Sequence, residues 1–168
     1  MSSIRINKEL NNEMYFITIT VKNWYYLFDR HNRWEILLDS LKYCQKNKWL
    51  KIYSWVFMIN HIHMIIKSND VSWFIRDFKS FTTHELKKNI IATEPRIINL
   101  FNNNWNWNNN LWQDTNMPEL IETERFFNCK KIYIENNPVR KSYVKNPENW
   151  IYSSANSDNL LALSKIDE

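Results

Sequence analysis

The sequence predicts an α+β domain of the ferredoxin-like type, in which helices pack on one face of a small antiparallel sheet. The elements follow one another as strand, helix, two strands, helix, short strand and helix. The two middle strands are close enough in sequence to form a hairpin. A chain of 168 residues can bury one core, so we expect a single domain over residues 1–168 with a short C-terminal tail.

The first two elements have clear periodicities. Residues 14–22, MYFITITVK, alternate apolar and polar side chains and are rich in β-branched and aromatic types, which is typical of a strand. Residues 32–48 place apolar side chains three and four positions apart, which predicts an amphipathic helix. The members of this apolar stripe are Trp34, Leu37, Leu38, Leu41 and Cys44.

Two short apolar runs, KIYSWVFM at residues 51–58 and HIHMIIK at residues 61–67, predict the hairpin. Ile59 and Asn60 separate them, and we expect Asn60 to take the left-handed turn conformation that asparagine tolerates. Alternate side chains of a strand point to the same face. His61 and His63 should therefore project from one face of the second strand.

Residues 70–90 predict a second helix, with Phe74, Phe78 and Phe81 on one buried stripe and a basic exposed side. Residues 93–110 are rich in asparagine and have no period, which favours a loop. Residues 111–121 can supply a short strand. The tail at residues 146–157 should form turns that pack Trp150 and Tyr152 onto the domain.

A third helix is expected over residues 122–137. Thr123 is a suitable N-cap, and the helix should end before Pro138, because proline disfavours helical backbone at the preceding residue. Tyr133 and Asn137 lie four residues apart in this segment, so a phenol and an amide would share one helix face.

Composition narrows the possible environments and partners. The net charge of +4 is a modest lean towards anionic partners. No apolar run is long enough to cross a membrane and the first residues lack a secretory signal, so we expect a cytoplasmic protein. Cys44 and Cys129 are far apart and outside a CxxC spacing, which indicates buried thiols rather than a disulfide or a cysteine metal site.

The chain contains no glycine and 25 asparagines. Every backbone position that needs a positive φ must therefore be filled by asparagine, aspartate or a strained residue.

The histidine pair allows several interpretations. Two imidazoles on one face can share a metal ion, but about as often such histidines are ordinary residues with satisfied hydrogen bonds. Zinc is possible if other ligands join them, although the cysteines lack the spacing to do so. An amide or carboxylate oxygen as third ligand would instead suit Mg²⁺ or Mn²⁺. Without further information Tyr133 is more simply a packed aromatic, because a phenol with its ordinary pKa near 10 is a poor nucleophile.

Five segments together decide between these interpretations: WVFMINHIHMII, RDFKSFT, LWQDTNMPELI, YIENNPVRKSYV and NPENWIYSSA. In this order and spacing the chain, over roughly residues 14–156, resembles the REP-associated tyrosine transposases of the single-tyrosine HUH transposase superfamily. The resemblance implies that His61 and His63 are metal ligands, that Tyr133 is the nucleophile and that Asn137 is a candidate third ligand. It also implies a divalent ion, Mg²⁺ or Mn²⁺.

The resemblance further implies an enzyme that cuts and rejoins hairpin-forming single-stranded DNA through a 5′-phosphotyrosine intermediate, as a monomer or a homodimer. Trp105, Trp107 and Trp112 could stack on unpaired bases, although Trp112 is more probable as a core residue. The expected phosphate contacts are basic residues of the second and third helices and of the segment after them: Arg76, Lys79, Lys87, Lys88, Lys130, Lys131 and Arg140.

The chain departs from the family pattern at Ile59, Met117, Glu135 and Ser142, none of which is a proposed ligand or nucleophile. Glu135 would place negative charge beside Tyr133 and oppose the approach of DNA. The alternative is therefore a catalytically inactive module of the same ancestry that binds structured DNA or RNA. A metal site with a purely structural role is a third possibility.

Overall fold

The computed structural model of the chain describes residues 11–101, 111–116 and 118–166. Four strands form one antiparallel sheet, β1 (Met14–Thr20), β2 (Lys51–Phe57), β3 (His61–Lys67) and β4 (Glu119–Leu120), in the order β2-β3-β1-β4. This order and the helices between the strands confirm the predicted α+β class with an antiparallel sheet.

Two long helices, α1 (Arg33–Asn47) and α2 (Val71–Thr93), pack against each other over the main hydrophobic core. The apolar stripe of α1 supplies Leu37 and Leu41 to this core, and β1 supplies Ile17 and Ile19. The side chain of Asp70 caps α2 by accepting a hydrogen bond from the backbone N–H of Trp73. These two helices share one face of the sheet, as the sequence predicts.

The opposite face is covered by α3 (Glu124–Glu135), which is followed by one further turn, α4 (Asn137–Arg140). Phe127 and Ile134 of α3 pack on Phe16 and Ile65, which alternate along their strands with the residues of the main core. The expectation that all helices lie on one face therefore holds for α1 and α2 and not for α3. The physical reason is that the second face of the sheet also carries apolar side chains, Phe16, Val56 and Ile65, which require a cover.

The structure corrects several local expectations. Residues 95–100 form a 3₁₀ helix where a loop was expected, while residues 102–110, which include Trp105 and Trp107, lie outside the described residues. Phe81 is half exposed because the buried face of α2 is centred on Ile75, Thr82 and Leu86. Cys129 is exposed, since it lies on the side of α3 away from Phe127.

Positive φ angles occur where the glycine-free sequence has to supply them. Among the described residues they are found at four asparagines and at four residues for which this conformation is costly, by about 1–2 kcal/mol each. These eight residues are Asn12, Asn23, Asn32, Asn159, Trp24, His31, Trp49 and Ser142. Asn60 is not one of them, so the expected left-handed turn residue of the hairpin is wrong. The side chain of Asn60 instead forms hydrogen bonds with His61 and with the backbone carbonyl of Trp24.

Candidate active site

His61 and His63 lie on the face of the sheet that α3 covers. Their ring centroids are 4.7 Å apart, and the residues are 7% and 5% exposed. Both histidines therefore project from one face of β3, as the sequence predicts.

One ring nitrogen of each histidine is held by a neighbouring side chain. Nδ1 of His63 lies 2.8 Å from Oγ1 of Thr18, its partner across the antiparallel ladder. Nδ1 of His61 lies 2.7 Å from Oδ1 of Asn60. An amide oxygen only accepts hydrogen bonds, so His61 carries its proton on Nδ1 and leaves the lone pair of Nε2 available. Among the described residues no hydrogen bond engages Nε2 of either ring.

Both imidazoles are neutral at pH 7. Burial lowers the pKa of His61 to about 4, with a further contribution from the positive charge of Lys141. Burial lowers the pKa of His63 to about 3, assisted by His61 and Lys130. A neutral imidazole is the form that binds a metal ion.

Tyr133 lies near the end of α3, which Thr123 caps at its start by accepting from the backbone N–H of Phe126. The ring centroid of Tyr133 is 5.2 Å from that of His63 and 6.0 Å from that of Phe16. The guanidinium carbon of Arg140 lies 5.2 Å from the centre of the Tyr133 ring. The phenol therefore lies between an imidazole on the sheet and a cation on α4.

Asn137 is 5% exposed, and its Oδ1 atom has no hydrogen-bond partner. The helix does not run unbroken from Tyr133 to Asn137, because α3 ends at Glu135 and α4 begins after Asn136, with Pro138 in its first turn. A buried amide oxygen without a partner costs free energy unless a ligand satisfies it. Imidazole nitrogens and an amide oxygen are donor types that divalent cations accept, so the chemistry of His61, His63 and Asn137 fits such an ion.

Among the described residues, no cysteine or carboxylate side chain joins the two histidines as a further metal ligand. Within residues 11–101, 111–116 and 118–166 there is no group of three or more His, Cys, Asp or Glu side chains that could hold an ion. The buried and unpartnered Oδ1 atom of Asn137 is the candidate for a third ligand from this part of the chain.

Two cavities open beside the site. One, of about 570 Å³, is bounded by His63, Tyr133, Lys130 and Gln113, and the other, of about 720 Å³, by His61 and Lys141. Trp24 lines both cavities. Thr18 and Trp24 were not singled out from the sequence, and Asn60 was predicted only as a turn residue, because their positions at the site depend on strand register and on a turn conformation.

The predicted phosphate contacts separate into two groups. Lys130 and Arg140 adjoin Tyr133, and Lys131 precedes it on α3. The Nζ atom of Lys130 lies 2.8 Å from the carboxylate of Glu119.

The four predicted contacts on α2 do not line the cavity at Tyr133. Arg76 and Lys79 line a third cavity of about 220 Å³, which shares Gln113 with the cavity at Tyr133. Lys79 Nζ donates to the backbone carbonyl of Gln113 at 2.6 Å, and burial lowers the pKa of Lys79 to about 8. Lys87 and Lys88 line none of these cavities, and Lys88 is ion-paired with Glu85.

Glu135 does not face the phenol. Its carboxylate accepts a hydrogen bond of 3.3 Å from Oγ of Ser154, in the C-terminal tail. The tail is in turn held on the sheet by Nε1 of Trp150, which donates to the carbonyl of Phe57. Trp150 and Tyr152 thus pack onto the domain, and Trp112 is buried in its core.

Comparison with solved structures identifies the fold. A REP-associated tyrosine transposase bound to a REP hairpin superposes with a TM-score of 0.72 and 21% sequence identity, over 100% of this chain and 91% of that one. The chain has the fold of a REP-associated tyrosine transposase. A second similar structure is that of a proposed transposase from Deinococcus radiodurans R1, with a TM-score of 0.47 and 17% identity over 81% of this chain and 97% of that one. No protein-family model and no curated protein sequence matches this chain.

The resemblance expected from the five sequence segments is confirmed at the level of the fold. The helix that carries Tyr133, α3, lies within the aligned region, since the alignment covers all of this chain. None of the helices in the described ranges is both long and apolar enough to span a membrane.

Proposed function

We propose that the protein is a metal-dependent single-stranded DNA transposase or endonuclease that cuts and rejoins hairpin-forming DNA through Tyr133. The observation that carries this proposal is the position of Tyr133, whose ring lies 5.2 Å from that of His63 beside an open cavity. A phenol next to a neutral imidazole supports this chemistry, in which the nucleophile must lie beside the candidate metal ligands.

In the proposed reaction the phenolic oxygen of Tyr133 attacks the phosphorus of a phosphodiester. The new bond joins this oxygen to phosphorus, the bond from phosphorus to the 3′ oxygen breaks, and the phenolic proton passes to solvent while the 3′ oxygen takes one up. The products are a 5′-phosphotyrosine and a free 3′-OH. One phosphate ester replaces another, so the reverse attack by a 3′-OH rejoins strands without a nucleotide cofactor.

His61, His63 and Asn137 are the residues proposed to hold Mg²⁺ or Mn²⁺. When bound, such an ion polarises a phosphoryl oxygen and stabilises the negative charge that develops on it. Thr18 and Asn60 fix the orientation of the two imidazoles through their Nδ1 atoms. Arg140 packs on the ring of Tyr133 and offers positive charge to the same phosphate.

Hairpin-forming single-stranded DNA is the proposed partner. A REP hairpin is bound by the transposase of the same fold, and Lys130 and Arg140 lie next to Tyr133, where they can contact backbone phosphates. Tyr133 and both histidines meet within one chain. This supports a reaction that a monomer can carry out with its own tyrosine.

The test is a search for a covalent adduct. The protein is incubated with an end-labelled single-stranded hairpin and Mn²⁺, Mg²⁺ or EDTA, and the products are resolved under denaturing conditions. We expect a metal-dependent protein–DNA band that Tyr133→Phe abolishes. Tyr53→Phe is the matched control, since Tyr53 packs on Phe127 of α3 and lies outside the cavity at Tyr133. An adduct that persists in Tyr133→Phe would refute the assigned nucleophile.

One observation favours the binding-only alternative. Tyr133 packs against the second hydrophobic cluster and meets Phe16 edge-on, as a purely structural aromatic would. A catalytically inactive module would bind the hairpin in a salt-sensitive way that His61→Ala leaves nearly intact, and it would form no adduct with any metal.

A further inference from the structure

Three exposed aromatic residues lie on α1, just after it and at the start of α2. Tyr43 is 57% exposed, Trp49 79% and Trp73 42%. The ammonium group of Lys48 contacts two of them, since its Nζ atom lies 5.6 Å from the ring centre of Tyr43 and 4.6 Å from that of Trp73. Trp49 directly follows Lys48 in the chain. We call these four residues, Tyr43, Lys48, Trp49 and Trp73, the aromatic patch.

Trp49 has a backbone conformation that costs free energy. Its φ of 55° is left-handed, and it follows Lys48, the C-cap of α1, at a position where glycine or asparagine is usual. For a bulky residue this conformation costs about 1–2 kcal/mol. Asparagine would avoid the cost, and the exposed indole gains little burial in return. Backbone strain of this kind concentrates at functional sites.

The chain around the aromatic patch is positively charged. Residues 40–69 contain five lysines and no Asp or Glu. Lys42 and Lys46 are exposed one turn apart on α1, and none of the ion pairs among the described residues includes them. The two acidic residues near the start of α2, Asp70 and Asp77, are engaged in the helix cap and in an ion pair with the patch lysine. The surface beside the aromatic rings is therefore suited to an anionic partner.

The aromatic patch is remote from the candidate active site. Lys51, two residues after Trp49, begins β2 and pairs with Lys67 at the far end of β3, six residues from His61. At about 3.3 Å per residue, roughly 20 Å of strand separate this end of the sheet from the histidines. No residue of the patch lines the cavity at His61 or the cavity at Tyr133. A ligand of the patch can therefore bind at the same time as one at Tyr133.

Exposed indole and phenol rings among lysines suit single-stranded DNA. Each unpaired base presents a flat face that can stack on an aromatic ring, which is worth about 1–3 kcal/mol per base. Each nucleotide also brings one negatively charged phosphate that a lysine can neutralise. The bases of a duplex stack on one another, so a duplex would offer the patch phosphates only. The combination of exposed rings and lysines without counter-charges therefore favours a single strand.

We propose that the aromatic patch is a second DNA-binding site, which holds single-stranded DNA with bases stacked on Trp49 and Tyr43 and phosphates at Lys42 and Lys46. The inference goes beyond the proposed function, because it requires neither Tyr133 nor a metal ion. A strand held at the patch stays within reach of the candidate active site, which raises its effective concentration there.

The test is a measurement of fluorescence anisotropy with a labelled oligothymidylate of about 12 nucleotides, in EDTA to prevent cleavage. An unlabelled hairpin in excess fills the cavity at Tyr133. The wild-type protein should still bind the oligothymidylate, and Trp49→Asn should weaken this binding about 5- to 150-fold, the range for one stacked base. Binding of the hairpin itself should not change in Trp49→Asn. Complete displacement of the oligothymidylate by the hairpin would overturn the inference, because it would show a single shared site.

The choice of variants separates stacking from misfolding. Asparagine at position 49 adopts the positive φ at a lower cost than tryptophan, so weaker binding in Trp49→Asn reports the loss of the ring. Trp49→Phe retains a ring and should recover most of the lost affinity. Phe81→Asn is the matched control, since Phe81 is half exposed on α2, about two turns beyond Trp73. An equal loss of affinity in Phe81→Asn would contradict the proposal.

Salt dependence tests the proposed phosphate contacts. Lys46→Ala should lower the slope of log affinity against log salt concentration by about 0.7, the value for one phosphate of a single strand. Lys145→Ala is the control, because Lys145 is exposed and lies in the C-terminal segment, away from α1 in the sequence. Equal slopes for wild type and Lys46→Ala would remove Lys46 from the site.

A second measurement uses the wild-type protein alone. With bromodeoxyuridine in the oligonucleotide, irradiation should crosslink the DNA to Tyr43 or Trp49, which mass spectrometry identifies. Crosslinks confined to α3 would overturn the inference. So would a concentration-dependent dimer that Trp49→Asn abolishes in a protein that binds no oligothymidylate, since the patch would then hold a second copy of the chain.

The adduct assay distinguishes failure of this inference from failure of the proposed function. A hairpin adduct without binding of oligothymidylate at the patch would retain the proposed function alone. Binding that depends on Trp49, without any adduct, would retain the second site alone.

Discussion

The hydroxyl of Thr18 lies 2.8 Å from Nδ1 of His63, directly across the antiparallel ladder of β1 and β3. Strand register alone brings these two residues together, since 45 residues separate them in the chain. A partner of this kind sets the tautomer and the orientation of an imidazole. The metal affinity proposed for the site should therefore depend on a threonine that touches no metal.

Thr18→Val tests this dependence. It should weaken Mn²⁺ binding about 10- to 100-fold, because the imidazole of His63 loses its orienting partner. A titration of the purified protein with Mn²⁺ measures the effect. Thr20→Val is the control, since Thr20 lies on the same face of β1, opposite His61, and has no hydrogen bond from its side chain among the described residues. Equal affinities for wild type and Thr18→Val would contradict the expectation.

Asn137→Leu tests the unpartnered oxygen. Without metal the variant should be more stable than wild type by about 1 kcal/mol, because leucine has a similar size and removes an unsatisfied buried acceptor. Thermal unfolding in EDTA measures this difference. With excess Mn²⁺ the wild type should gain stability and the variant should not. A wild-type melting temperature that Mn²⁺ leaves unchanged would count against the proposed ligand set.

Trp49→Asn tests backbone strain away from the site. Trp49 is 79% exposed with φ of 55°, so asparagine should raise the free energy of unfolding by about 1 kcal/mol. Chemical denaturation provides the measurement. Tyr43→Asn is the comparison, because Tyr43 is also exposed but lies within α1, where asparagine relieves no strain and lowers helix propensity. A stabilisation shared by both variants would show that loss of exposed aromatic surface, and not relief of strain, is responsible.

Glu94→Gln tests the ion pair that joins α1 to the end of α2. Arg33 is fully buried and lies 2.7 Å from the Glu94 carboxylate, which is 26% exposed, so the loss of this counter-charge should cost about 1–3 kcal/mol, less than for a fully buried pair. Burial alone would raise the pKa of Glu94, but hydrogen bonds from Arg30 and Arg33 lower it overall. Glu85→Gln should change stability by less than about 1 kcal/mol, because its partner Lys88 is exposed.

The same carboxylate gives a pH dependence with a defined sign. Because the pKa of Glu94 is lower in the folded than in the unfolded protein, its contribution is present above pH 4.5, the ordinary pKa of the group. It is lost as the pH falls below 4.5 and through the folded-state pKa. Unfolding measured between pH 6 and pH 3 should show a smaller loss for Glu94→Gln than for wild type. Parallel curves would refute this assignment.

The sequence by itself determined the elements and the common face of His61 and His63. Alternation along β3 and the three- and four-residue spacing in α1 are local patterns, and backbone geometry converts them directly into faces. The four-residue spacing between Tyr133 and Asn137 was also evident from the sequence. The interruption of the helix at Asn136 was not predicted. The roles of these residues in metal binding and catalysis stay predictions.

Only the tertiary structure decided which surfaces meet. The placement of α3 on the face opposite α1 and α2, the contact of Thr18 with His63 and the turn of Glu135 towards Ser154 all join segments distant in sequence. The carbonyl of Trp24 likewise accepts a hydrogen bond from Asn60, which is 36 residues away. Contacts of this kind are fixed by packing and register over the whole domain, so no local pattern in the sequence encodes them.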